Sequence, residues 1–149
     1  MIYIRQGQQN QVAATCSRNG FLTGSTIYYL WDMTHKLSGK NYRFIPFRVQ
    51  PSVSYSVPYD LFCIDVDPLQ PNVLTGSTLC GQTNIGTLIP GEYEVTIWEQ
   101  YSSSNLDPEL SYDIVQQNLV TVIGVNQNIP TTYTGGTNGV FIIYNDNNT

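Results

Sequence analysis

The chain carries few residues of the types that perform catalysis. Its single histidine, His35, falls in a segment from Thr34 to Lys40 that we interpret as a hairpin turn, so we expect it at the surface. No GxSxG motif surrounds a serine, and Thr34 stands where a phosphate-binding loop ending in Gly39-Lys40 would need its first glycine. We therefore predict that the protein is not an enzyme and that it uses no cofactor.

Two pairs of carboxylates have a spacing that suits a shared metal ion. Asp65 with Asp67, and Glu92 with Glu94, lie two residues apart, which places both side chains on one side of an extended strand. Calcium needs six to eight oxygen ligands, so we favour a solvated acidic edge over a metal site. The cysteines are odd in number, form no CxxC pair and are expected to be buried free thiols: Cys16, Cys63 and Cys80.

The composition favours strands over helices. Among 149 residues there are only two alanines but 11 tyrosines and 15 threonines, and aromatic and β-branched residues fit a pleated, half-buried surface. Short apolar runs separated by turn residues recur along the chain, with no sustained helical periodicity. We predict an all-β fold, an immunoglobulin-like β-sandwich of seven to eight strands spanning residues 1–124.

The clearest strand signal is the segment from Glu92 to Glu99. Tyr93, Val95 and Ile97 recur there at a period of two, which predicts that they are buried. Trp98 falls on the opposite, polar face, where it is either packed by a neighbouring loop or an anchor for a partner. Ile2 to Arg5 and Val12 to Cys16 are interpreted as one broken edge strand. The other predicted elements are strands at 27–33, 42–47, 61–66, 119–123 and 140–144, and a helical turn within 108–115.

Charge is sparse and unevenly distributed along the chain. The net charge is −5, yet all six basic residues lie within the first 48 positions, where they sum with Asp32 to +5, and ten acids follow without any cation. A basic surface containing Arg43 and Arg48 would suit docking on an oppositely charged protein. Six dispersed cations do not match the footprint of a nucleic-acid-binding protein, and no apolar run approaches the ~20 residues of a membrane span. We predict neither of those partners.

Several segments together resemble a known family of proteins. They are MIYIRQGQQN, YYLWDMTHKLSGKNYRFIP, YDLFCIDV, GEYEVTIWEQYSSSNLDP and NLVTVIG. These segments, spread over residues 1–124, resemble small virion proteins of tailed phages that infect gut Bacteroidetes, the crAss-like and related phages. The most specific part of the resemblance is the segment from Glu99 to Pro108.

The resemblance implies a structural role in a phage particle. It implies an immunoglobulin-like auxiliary (decoration) protein that is made in the host cytoplasm, lies on the capsid surface and binds the major capsid protein and other virion proteins. A head-fibre base, neck or tail protein is an alternative within the same class. A carbohydrate-binding module is the alternative from another class, because 18 aromatic residues on a β-sandwich also suit sugar stacking. Such a module is expected to be exported, and the start of the chain has no signal-peptide pattern.

Residues 125–149 are interpreted as an Asn/Thr-rich C-terminal arm with one terminal strand. That strand consists of five residues of high β propensity: Val140, Phe141, Ile142, Ile143 and Tyr144. Such a segment exposed alone promotes aggregation, so we expect it to be paired. Its partner is either an edge of its own domain or, as we favour from the sequence, a neighbouring copy or shell protein reached by strand addition. The neighbour is favoured because the immunoglobulin-like pattern is already complete at Gly124.

Overall fold

The computed structural model describes residues 1–24, 26–49, 58–75 and 83–125. Within these ranges there are eight strands, one helix and one 3-10 turn. The strands are β1 (Ile2–Arg5), β2 (Gln9–Ala14), β3 (Tyr28–His35), β4 (Asn41–Phe44), β5 (Phe47–Val49), β6 (Asp60–Asp65), β7 (Gly91–Gln100) and β8 (Asp113–Ile123). The helix is α1 (Cys16–Asn19), and the 3-10 turn is Pro108–Leu110.

The strands form two sheets that pack face to face. One sheet has the order β1-β8-β7-β3-β4, and the other has the order β2-β6-β5. Of the pairs between these strands, β1 with β8 is parallel and the rest are antiparallel. The all-β, two-sheet architecture predicted from the sequence is confirmed.

The core lies between the sheets and is rich in aromatic side chains. The Trp31 ring on β3 lies 5.4 Å from the Phe62 ring on β6, centre to centre, so the two sheets meet at these residues. Tyr93, Val95 and Ile97 on β7 are buried in the same core, which confirms the period-two prediction. Each such side chain contributes about 1.5 to 3 kcal/mol through removal of apolar surface from water.

The first two predicted strand segments do not form one broken edge strand. β1 pairs with β8 in the five-stranded sheet, whereas β2 pairs with β6 in the other sheet. The chain crosses between the sheets at Gly7, whose φ of 73° lies in the left-handed region that glycine adopts without strain. Local hydrophobicity predicts both strands but carries no information on which sheet each one joins.

The predicted single strand 42–47 was wrong, because the chain passes from one sheet to the other around Pro46, with β4 before it and β5 after it. The ends of several elements also differ from the predicted boundaries. The predicted strand to Cys16 stops at Ala14, because the backbone amides of Thr15 and Ser17 bind the side chains of Gln116 and Asp60 and the chain turns into α1. The helical turn predicted within 108–115 is found as the 3-10 turn. β8 starts six residues earlier than predicted, because pairing with β7 holds its polar residues in the ladder.

His35 is buried, and its predicted surface position was wrong. It ends β3 at the hairpin, as predicted, but only 4% of it is exposed. Its ring lies 4.9 Å from the ring of Tyr93, and its Nδ1 lies 2.7 Å from the Ser38 hydroxyl oxygen. A Cβ atom on Gly91 would come within 2.6 Å of Nε2. Two of the residues that cover His35, Gly91 and Tyr93, therefore belong to β7, more than 50 positions along the chain.

Two of the three cysteines are described, and both are buried free thiols as predicted, namely Cys16 and Cys63. Burial raises the pKa of the Cys16 thiol, and the nearby carboxylate of Asp60 raises it further. Cys80 and the predicted strand 140–144 lie outside the described residues.

Candidate interaction site

The basic candidates of the first third of the chain are engaged in ion pairs. Arg43 on β4 lies 3.3 Å from its cross-strand neighbour Asp32, and its side chain is 44% exposed. Arg48 on β5 lies 2.5 Å from Asp60, which is 3% exposed, and its guanidinium also lies over the Tyr29 ring. The two arginines are thus in different sheets, each with its own carboxylate. Removing the partner of a buried charge is costly, so Arg48 stabilises the fold.

The uneven distribution of charge along the sequence is partly cancelled by folding. Lys36 from the basic third lies 3.5 Å from Glu92 of the acidic remainder, and Arg48 pairs with Asp60 in the same way. Arg43, by contrast, pairs with the one acid of its own third. A docking role for Arg43 and Arg48 stays a prediction from the sequence.

Trp98 lies on the outer face of the five-stranded sheet, as its parity in β7 predicts. Its cross-strand neighbours are Leu30, which is buried, and Ile114, which is exposed. Trp98 itself is half-buried, and its indole N–H finds no hydrogen-bond acceptor among the described residues. Trp98 therefore lies at the border between packed and exposed apolar surface.

Several exposed apolar side chains lie in or next to the loops at the end of the sandwich where β7 ends, and one of them, Ile114, is the cross-strand neighbour of Trp98. These side chains come from the β7–β8 loop, the first residues of β8 and the loop that precedes β3. We call this group the apolar loop end, and it consists of Phe21, Tyr101, Leu110, Tyr112 and Ile114, with exposed fractions of 67, 59, 75, 64 and 38%. The Tyr101 hydroxyl donates to the Thr23 carbonyl oxygen at 3.0 Å, which ties the two loops together.

Glu99 anchors both loops from inside the protein. Although it is ionisable, it is only 1% exposed. Its carboxylate accepts the backbone N–H groups of Phe21 at 2.8 Å and Leu22 at 3.2 Å, and its carbonyl oxygen accepts the N–H of Tyr112 at 2.9 Å. The approach is so close that a Cβ on Gly20 would lie 2.6 Å from the carboxylate. One buried residue thus fixes the backbone on both sides of the apolar loop end.

Gln100 holds the β7–β8 loop in the same manner. Its amide nitrogen donates to the carbonyl oxygens of Ser102 and Asn105 at 2.9 and 3.0 Å, and its amide oxygen accepts from the side chains of Asn105 and Ser111 at 2.8 and 3.0 Å. The Asp107 carboxylate caps the 3-10 turn. Because the loop satisfies these polar groups internally, Tyr101, Leu110 and Tyr112 are presented on a preorganised backbone. Preorganisation lowers the entropy lost on binding.

Exposed acidic side chains lie close in sequence to Leu110 and Tyr112 of the apolar loop end. Asp107, Glu109 and Asp113 are exposed there, and no lysine or arginine occurs after Arg48 in the sequence. An apolar centre with a charged rim is the usual anatomy of a protein-binding surface, in which tyrosine is enriched and the rim steers association.

Glu99 and Gln100 were not predicted as loop anchors from the sequence. A signal was present for Glu99, since it has the same odd parity in β7 as Tyr93, Val95 and Ile97 and therefore belongs to the inner face. No local pattern identifies its partners, which lie 77 and 78 residues earlier in the chain.

The two acidic pairs lie in different parts of the fold, Asp65 at the end of β6 and Glu92 with Glu94 on β7. Burial raises the pKa of the Asp65 carboxyl group, and the nearby carboxylate of Asp67 raises it further. Glu92 pairs with Lys36. Within the described ranges no three His, Cys, Asp or Glu side chains converge on a common point. A depression of about 400 Å³ lies on the surface of the neighbouring strands β7 and β8. It is lined mainly by polar groups, and Glu94 is the one ionisable residue among them.

Comparison of the chain with protein-family models, with curated proteins and with solved structures finds no match in any of the three. In the part of the chain that the structure describes, no helix is long and apolar enough to cross a membrane.

Proposed function

We propose that this chain is a non-enzymatic phage virion protein, an auxiliary (decoration) protein that binds the major capsid protein through the apolar loop end. The proposal combines the resemblance of its sequence segments with the arrangement of its exposed side chains. The observation that carries it is the apolar loop end itself, which buried Glu99 and Gln100 hold in one conformation. The segment from Glu99 to Pro108, the most specific part of the resemblance, contributes Tyr101 to this surface and both of its buried anchors, Glu99 and Gln100.

An immunoglobulin-like fold is part of the proposal, and the strand order supports it. Immunoglobulin variable-type domains place strands G, F, C and C′ in one sheet and B, E and D in the other. If β2 to β8 correspond in sequence to strands B, C, C′, D, E, F and G, the sheet β8-β7-β3-β4 has the order G-F-C-C′. The sheet β2-β6-β5 then has the order B-E-D. β1, parallel to β8, then occupies the position of the first strand.

Two side-chain features give independent support. Immunoglobulin domains bury a tryptophan on strand C, and Trp31 lies fully buried on β3. They also carry a tyrosine at the start of strand F that hydrogen-bonds back to the backbone, and the Tyr93 hydroxyl donates to the Ile89 carbonyl oxygen at 2.7 Å. Two residues later, where antibody domains have a disulfide cysteine, this chain has Val95. A core without that disulfide suits a protein made in a reducing cytoplasm.

The proposal is tested by binding to particles of the phage that encodes the chain. Purified wild-type protein is mixed with particles lacking it and sedimented. Leu110→Ser with Tyr112→Ser should reduce the bound fraction at least tenfold. The matched control is Leu37→Ser, which removes a 94% exposed side chain at the β3–β4 hairpin and should bind like wild type. Equal binding of all three proteins would refute the docking surface, and no binding by wild type would refute the virion assignment.

Position within the particle is tested by cryo-electron microscopy of complete virions. Density for the domain on the capsid face supports the decoration role. Density at a fibre base, the neck or the tail would instead assign the alternative virion roles.

A carbohydrate-binding module is the second candidate, and Tyr101 and Tyr112 favour it because exposed tyrosine rings stack on sugars. A glycan array separates the two candidates. Tyr112-dependent binding to a glycan, without binding to particles, would replace the decoration role by this one.

A further inference from the structure

The three-stranded sheet has an edge that is open within the described residues. β2 pairs with β6 on one side, and none of the described strands pairs with its other side. Gln9, Gln11 and Ala13 expose their side chains, whereas Asn10, Val12 and Ala14 direct theirs into the protein. A regular, uncharged edge of six residues is a template for an additional strand.

The neighbouring edge, that of β1, is partly closed. The Asn10 side chain accepts the backbone N–H of Arg5 at 2.7 Å and donates to the Arg5 carbonyl oxygen at 2.9 Å. An amide side chain thus takes the place of a strand partner at this position. On this side of the sandwich, β2 therefore offers the longer free edge.

The described chain ends next to the start of this edge. The Gln6 N–H donates to the Ile123 carbonyl oxygen at 3.0 Å, and the Val125 side chain lies 3.5 Å from where a Cβ on Gly7 would be. Gly7 precedes β2 by two residues. The rest of the chain, residues 126–149, consequently departs from the point where β2 begins.

We propose that residues 140–144 add to the free edge of β2 in the same molecule as an antiparallel strand, and so complete a four-stranded sheet. β2 is about 20 Å long, at ~3.4 Å for each of its six residues. Residues 126–139 number fourteen, and a coil of that length averages about 20 Å from end to end. A segment of that length is therefore sufficient to reach the far end of β2 at Ala14, the starting point that antiparallel pairing requires.

The position of Val125 changes the preference drawn from the sequence. The sequence favoured a neighbouring copy, because the immunoglobulin-like pattern was complete without the arm. A tethered strand next to its acceptor has an effective concentration in the millimolar range, which exceeds that of a second copy in dilute solution. The inference does not depend on the proposed virion role.

Disulfide trapping in the full-length chain tests the pairing. All variants carry Cys80→Ser and also Cys63→Ser, because Cys63 lies directly opposite Gln11 on β6 and could trap a cysteine there. Gln11→Cys is combined with either Phe141→Cys or Ile142→Cys, since alternation places one of these two on the exposed side with Gln11. We expect one pair to form a disulfide within the monomer. In the control pairs Gln117→Cys replaces Gln11→Cys and is combined with the same cysteine at position 141 or 142. Gln117 is exposed on the other sheet, so these pairs should stay reduced. Disulfide-linked dimers would show that a second copy supplies the strand, and no disulfide with either pair would also overturn the proposal.

Hydrogen exchange provides a second readout with the native cysteines in place. Ile142→Pro prevents strand pairing, because proline lacks the N–H that a ladder requires. Alternate amides of β2 should then exchange at least tenfold faster than in wild type. Thr132→Pro, in the intervening segment, should leave them unchanged. Unchanged exchange in Ile142→Pro would overturn the proposal, while binding to particles tests the proposed function separately.

Discussion

Removing one hydroxyl group from the core, with Tyr93→Phe, tests how the start of β7 is held. The aromatic ring stays in place, and the change removes the 2.7 Å hydrogen bond to the Ile89 carbonyl oxygen. An intramolecular hydrogen bond contributes about 1 kcal/mol net. For a domain of this size the melting temperature should therefore fall by about 4 °C at neutral pH.

The pH dependence of the same variant gives a sharper prediction. Burial, together with the neighbouring Tyr42, raises the pKa of Tyr93 from 10.0 to about 12. Between these two values the unfolded chain releases the proton while the folded protein retains it. The stabilisation is thus present below pH 10 and is lost as the pH rises through 12. Two pKa units correspond to a loss of about 2 to 3 kcal/mol in wild type, which phenylalanine does not suffer.

Urea unfolding of wild type and Tyr93→Phe from pH 8 to pH 12 measures both effects. Wild type should be more stable by about 1 kcal/mol at pH 8, and the order should reverse near pH ~11, where the linked loss exceeds the hydrogen bond. Tyr112→Phe, at an exposed site, should follow wild type throughout. A difference between wild type and Tyr93→Phe that does not change with pH would refute the buried, protonated state of this hydroxyl. A more stable Tyr93→Phe at pH 8 would refute the hydrogen bond.

Two further predictions concern buried charge. Val95→Asp places an unpaired carboxylate at a core position that is 1% exposed, and urea unfolding should show a loss of about 3 to 5 kcal/mol; a loss below 1 kcal/mol would contradict the inward position of Val95. Arg48→Met leaves Asp60 buried without its cation and should also lower the free energy of unfolding by about 3 to 5 kcal/mol. Arg43→Met breaks the more exposed pair with Asp32 and should lower it by less than about 1 kcal/mol. Equal losses in the two arginine variants would show that Arg48 is not compensating a buried charge.

The sequence by itself determined the fold class and much of the core. Period-two alternation identified Tyr93, Val95 and Ile97 as inward-facing, because side chains alternate across any strand whatever its partners. Turn residues located the hairpin at Gly39, whose positive φ is available to glycine at low cost. These features depend on residues that are neighbours in the chain, so local patterns are sufficient to predict them.

Only the tertiary structure decided which distant residues meet. β1 and β2 belong to different sheets, and residues of β7 cover His35. Arg48 forms an ion pair with the buried carboxylate of Asp60. The loop anchor Glu99 likewise binds amides more than 70 positions away. Each of these contacts depends on strand partner and register, and a shift of one residue would turn every side chain of a strand to the opposite face. Register is fixed by the packing of both sheets together, which no single segment of the sequence encodes.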